Sequence, residues 1–84
     1  IIGELKMKYF TDEEIKIINS SYGTATALKD VLKNMFNARN YPEVNLQKCL
    51  LSDKGHRELF FKILDMPLSY IDGKQILDDF FNQN

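Results

Sequence analysis

The sequence predicts an all-α fold, a compact bundle of four to five short helices with an extended N-terminal arm. Three observations carry this. Apolar residues recur at helical spacing over most of the chain. Helix start signals recur where those stripes begin, and the Gly and Pro residues fall between the stripes. Convincing period-2 alternation occurs only once, near the N-terminus, and a lone strand is not stable.

That stretch is Glu4–Tyr9, where Leu5, Met7 and Tyr9 would share one face and Lys6 and Lys8 the other. We assign residues 1–10 to the arm, as an extended or frayed segment rather than a strand that pairs with a partner, and residues 11–84 to a single helical domain. Residues 1–6 precede Met7 and read as an appended segment or as part of a longer parent chain. The first helix begins at Thr11-Asp12-Glu13-Glu14, a capping box with Thr11 as N-cap and Glu14 at the third helical position. Phe10 and Ile15 form a hydrophobic staple around it, and the three acids suit the helix dipole. Ile15, Ile18 and Tyr22 form its stripe, with Ile17 off it; Ser20, Ser21 and Gly23 mark its stop.

A second helix over about 24–38 places Ala25, Leu28, Val31, Leu32, Met35 and Phe36 within roughly 140° of its circumference. It ends in a turn-rich run closed by Pro42. Residues 43–51 fit a short helix through Leu46, Cys49 and Leu50, although Val44-Asn45-Leu46 also alternates. The next helix, about 53–65, has Ser52 as its expected cap and ends at Met66-Pro67. Its apolar residues Leu59, Phe60, Phe61, Ile63 and Leu64 span about 200°. Such a helix is central in the bundle, or else it exposes Phe61. The last helix, about 73–82, starts at Asp72 with Gln75 three residues on and a second staple from Ile71 and Ile76. The expected core is Ile15, Ile18, Leu28, Leu32, Met35, Phe36, Leu50, Leu59, Phe60, Ile63, Leu64, Ile76, Leu77 and Phe80.

Composition narrows the function. The 84 residues are 44% hydrophobic and 27% charged with a net charge of −1, a globular balance with no global field toward nucleic acid or an anionic membrane. The single cysteine, Cys49, excludes an intrachain disulfide, and a domain this small without staples points to a reducing cytoplasm. No apolar run is long enough to cross a membrane, and Ile1-Ile2-Gly3 lacks the pattern of a signal peptide.

Catalysis and cofactors find little support. The only histidine, His56, has Ser52 four and Asp53 three residues before it. Ser52 is needed as a helix cap, however, and a nucleophile–base pair needs a cleft. His56 is therefore expected to be an exposed first-turn histidine. Asp78 and Asp79 point about 100° apart on a helix and read as a solvated face. One Cys and one His cannot make a zinc site. Asp72-Gly73 is not followed by the alternating ligands of a calcium loop, and no phosphate-binding glycine loop occurs. We expect no enzyme activity and no cofactor.

Two binding classes remain. Ten aromatics, with Phe60-Phe61 and Phe80-Phe81 adjacent, are a heavy load for so small a core. Apolar surface that stays exposed marks interaction sites. The leading expectation is thus a small protein-interaction module, a regulator, inhibitor, adaptor or docking domain of a longer chain. Ile17, Phe61, Tyr70 and Phe81 are its candidate partner-binding residues, and a second copy of the chain is an admissible partner. The alternative is a helix-turn-helix-like DNA-binding regulator, in which the second helix reads bases with Thr26, Lys29, Lys33 and Asn34. Residues 29–57 carry six basic residues against three acidic ones. That excess is too small for strong phosphate binding.

Overall fold

The computed structural model describes residues 8–82. The expectations for residues 1–7, and with them most of the arm and its pairing, lie outside the described residues. Over residues 8–82 the chain is all-α: α1 Asp12–Ile18, α2 Gly23–Phe36, α3 Leu46–Leu50, α4 Lys54–Leu64, α5 Leu68–Ile71 and α6 Lys74–Ile76, which runs into a π-helical turn at Leu77–Phe81. No strand occurs among the described residues.

The start of α1 is the capping box expected from its sequence. Thr11 Oγ1 accepts from Glu14 N at 3.1 Å, and Glu14 Oε1 accepts from Thr11 N at 2.9 Å. Burial pushes the Glu14 carboxyl up. Its bonds from Lys62 and Thr11 outweigh that and leave it below the ordinary glutamate range.

α2 packs against α1, α3 and α4, and Ala25, Ala27, Leu28, Val31 and Leu32 form its buried side. The small Ala25 and Ala27 allow neighbouring helices to approach closely, and Leu28 and Leu32 fill the centre. Met35 and Phe36, expected in the core, are only half-buried because α2 reaches the edge of the bundle there.

α3 is five residues long and turns one side chain, Cys49, fully inward. Leu46 and Leu50, four apart on the same side, stay exposed, so Leu50 does not join the core. In α4 the buried residues Leu59, Ile63 and Phe60 span an arc of about 100°. Leu64 falls about 40° beyond that arc and Phe61 about 100° beyond it, so both are exposed. α4 is thus covered on one side and is not the central helix, and Leu64 is a surface residue. Ile15 and Leu77 are half-buried at the rim.

Phe10 belongs to the core rather than to an arm. It is fully buried, with ring centroids 4.8 Å from Tyr9, 5.7 Å from Tyr70 and 5.5 Å from Phe80. Tyr9 is pinned beside it, its hydroxyl donating to the Lys62 carbonyl at 2.6 Å. The folded unit therefore includes residues 9 and 10.

Pro67 opens a helix as well as ending one. Its fixed φ suits the entry to α5, which the sequence reading did not include, and α5 carries Tyr70 inward. Asp72 caps the C-terminal end of α5, and Gly73 leads into α6. A Cβ on Gly73 would lie 2.8 Å from the Ser69 carbonyl oxygen, a backbone atom that moves only if α5 moves. Gly73→Ala should therefore cost about 1–3 kcal/mol, read as a lowered midpoint in urea denaturation. A midpoint equal to wild type would show that α5 can shift freely against α6.

The π-turn is closed by Asn82 N donating to the Leu77 carbonyl at 2.7 Å, five residues back. It seats two adjacent phenylalanines in different places: Phe80 enters the core, and Phe81 stacks 4.6 Å from Phe36 and 6.0 Å from Tyr41. Asp79 is buried, 8% exposed, and is not part of a solvated acidic face.

Candidate interaction face on α4

Helix α4 is held from below and open above. Lys62 fixes it on one flank, its ammonium 2.8 Å from Glu14 and over the rings of Tyr9 and Phe10. Its first turn is capped by Asp53, not by Ser52: Asp53 Oδ1 accepts from His56 N at 3.0 Å. Ser52 Oγ instead donates to the Cys49 carbonyl at 2.6 Å, tying α3 to the start of α4.

Phe61 stands near the middle of the open side, 48% exposed. It forms a wall shared by two surface depressions. One, of about 300 Å³, is lined by Ser52, Lys54, Arg57, Glu58 and Phe61. The other, of about 670 Å³, is lined by Tyr9, Glu58, Phe61, Lys62, Leu64 and Asp65. The Arg57 guanidinium lies 5.8 Å from the Phe61 ring centroid. Leu64 is also exposed, and Leu68, at the start of α5, is 75% exposed.

The four candidate partner-binding residues are not brought together. Phe61 is on the surface. Tyr70 is only 7% exposed, with its hydroxyl donating to Asp79 Oδ2 at 2.8 Å. It is a core residue, contrary to its expected exposure, because α5 turns it inward. Phe81 is half-buried in its stack with Phe36 and Tyr41. Ile17 is half-buried and lines a separate hollow of about 190 Å³ with Asp53, Gly55, His56 and Leu59.

His56 is not free at the surface. Its Nε2 lies 2.8 Å from the Tyr22 hydroxyl and its Nδ1 lies 2.8 Å from Asp53 Oδ1. With Asp53 ionised, the neutral ring donates from Nδ1 and accepts the Tyr22 proton at Nε2, which satisfies both nitrogens. The cluster ties the entry of α2 to the first turn of α4. Sequence reasoning paired His56 with its neighbours and missed Tyr22, which no local spacing could reveal. Ser52, engaged with Cys49, is not part of it. The Cys49 thiol is pushed up by burial and by Asp30, which disfavours the reactive thiolate.

Three of the four candidate DNA-reading residues are engaged inside the molecule. Lys29 Nζ donates to Asn19 Oδ1 at 2.7 Å, and burial, with Lys33 nearby, lowers its pKa. Asn34 Nδ2 donates to the Tyr41 carbonyl at 2.8 Å. The Lys33 ammonium lies 5.4 Å over the Tyr41 ring. Thr26 is exposed, its hydroxyl 3.5 Å from the Ser21 carbonyl.

Among the described residues no three His, Cys, Asp or Glu side chains are grouped to hold a metal ion. No helix among them is long and apolar enough to cross a membrane. Compared with protein-family models, curated proteins and solved structures, the chain matches none.

Proposed function

We propose that this protein is a non-enzymatic interaction module that docks a protein partner on the outer face of α4. The observation that carries the reading is the half-exposed Phe61, placed between two depressions on a helix whose other side is anchored in the core. A large ring held on a rigid helix loses little conformational entropy on binding, and aromatic and Arg side chains are favoured at binding hot spots. Phe61 and Arg57 supply both. The polar face of α2 is a poorer candidate, because Lys29, Lys33 and Asn34 would have to give up internal contacts to reach a nucleic acid.

The test is site-specific photo-crosslinking in the cells that make the protein. A photoreactive residue at position 61 should yield a discrete crosslinked product. The same residue at Lys16, on the exposed side of α1, should not. Equal crosslinking at both positions would sink the reading.

A further inference from the structure

We infer that Tyr22 is a modification site: its phenol oxygen accepts an acyl group from an uncharged activated ester, with His56 as general base and Asp53 holding the imidazole. The site is separate from the docking face, since His56 lies about 140° around α4 from Phe61.

A weak oxygen nucleophile becomes reactive when a base stands within hydrogen-bond reach and a third group orients that base. The Tyr22 hydroxyl is 2.8 Å from His56 Nε2, and Asp53 Oδ1 is 2.8 Å from His56 Nδ1. Hydrogen bonds from the His56 backbone and ring keep the Asp53 carboxyl below the ordinary aspartate range. Ionised at neutral pH, it fixes the tautomer whose Nε2 takes a proton. Base and orienter sit on one rigid turn, because Asp53 is also the N-cap of α4. Tyr22 is 47% exposed, so an acyl donor reaches its oxygen. No other tyrosine combines exposure with a base. Tyr70 is 7% exposed, and Tyr9 gives its proton to the Lys62 carbonyl, which is not a base. The only histidine of the chain stands beside Tyr22, which leaves Tyr41 without one.

The hollow of about 190 Å³ against the imidazole sets the class of donor. Ile17, Gly55 and Leu59 make it largely apolar, and Asp53 lines it with no Lys or Arg beside it. A phosphoryl donor would bring negative charge against that carboxylate, whereas an uncharged acyl donor would not. In the step, Tyr22 Oη bonds to the acyl carbon, and the bond from that carbon to the leaving oxygen breaks with its electron pair. The Tyr22 proton passes to His56 Nε2, and the imidazolium then returns it to solvent. One acyl group is taken up per chain.

The probe is p-nitrophenyl acetate, with release of p-nitrophenolate giving the rate and tandem mass spectrometry locating the acetyl group. Tyr22 should be acetylated roughly tenfold or more faster than Tyr41, as general-base assistance requires. His56→Gln keeps a hydrogen-bonding side chain but removes the base. It should bring Tyr22 down to the Tyr41 rate, leaving Tyr41 itself and the far-UV circular dichroism unchanged. Tyr22→Phe should remove the fast phase of p-nitrophenolate release. Acetylation of Tyr22 no faster than that of Tyr41 overturns the inference, as does a fast Tyr22 rate that survives His56→Gln. A fast phase that persists in Tyr22→Phe, with the acetyl group on His56 or a lysine, overturns it too. The wild-type ratio and Tyr22→Phe decide the matter even where His56→Gln loses helicity.

Discussion

Phe10→Ala should destabilise the protein by about 3–5 kcal/mol, the cost of emptying a fully buried aromatic site. Small domains have a total stability at the low end of about 5–15 kcal/mol, so the variant should be largely unfolded at modest urea concentration. The magnitude follows from what surrounds the ring. Tyr9, Tyr70 and Phe80 pack against Phe10 from three parts of the chain, and the Lys62 ammonium lies 5.6 Å from its centroid. Elements anchored this far apart cannot collapse into the void without giving up other contacts. Phe61→Ala, by contrast, removes a half-exposed ring and should lower the unfolding free energy, read from urea denaturation, by less than about 1 kcal/mol. The pair of variants separates core from docking surface in one experiment. A Phe10→Ala protein as stable as Phe61→Ala would mean that the chain before α1 contributes nothing to the fold.

Phe10 also shows where sequence reasoning stops. Its staple position beside Thr11 is a local pattern, and the helix start it marks is where the structure has it. Its burial against Tyr70 and Phe80 depends on how distant segments are arranged, and no local pattern carries that information. The same division runs through the rest of the fold. The stripe of α2 and the buried arc of α4 are periodic, and most of the core residues chosen from them are buried. Leu50 and Leu64 are exposed because burial depends on which neighbours cover a helix, not on its own stripe. The sequence pattern does not predict α5, because Met66-Pro67 reads as the end of α4, although proline suits helix entry equally well. With α5 missing, Tyr70 could only be placed in a loop and Asp79 on a surface.

The candidate face was legible in one respect: five apolar residues spread over about 200° of α4 exceed what one contact can cover. The depressions on either side of Phe61 depend on Tyr9 and Ser52, contributed by other segments. The burial of Phe81 depends on the π-turn, a backbone feature with no recognised signature in Leu77–Phe81.

Stability at high pH should fall with a slope that Tyr70 sets in large part. Burial pushes its phenol far above the ordinary tyrosine range, and the hydrogen bond to the Asp79 carboxylate and that group's charge push it further. A group whose pKa is raised in the folded state contributes stability that is full below its unfolded pKa, near 10.0. That contribution is lost as pH rises above it, because the unfolded chain releases a proton the folded one keeps. The loss for one such group is about 1.4 kcal/mol per pH unit. Tyr9, raised by burial and by the charges of Asp65 and Glu14, should add a smaller loss of the same sign. Tyr70→Phe should have two opposite consequences. At neutral pH it deprives a buried carboxylate of a donor and should cost about 1–3 kcal/mol. Above about pH 10 it should flatten the decline, since phenylalanine has no proton to release, so the gap to wild type narrows as pH rises. Urea midpoints of both proteins at neutral pH and at steps up to about pH 11.5 measure each consequence separately. Parallel decline of the two curves would show that Tyr70 ionises as easily in the folded protein as in the unfolded chain, and that its bond to Asp79 is not maintained in solution.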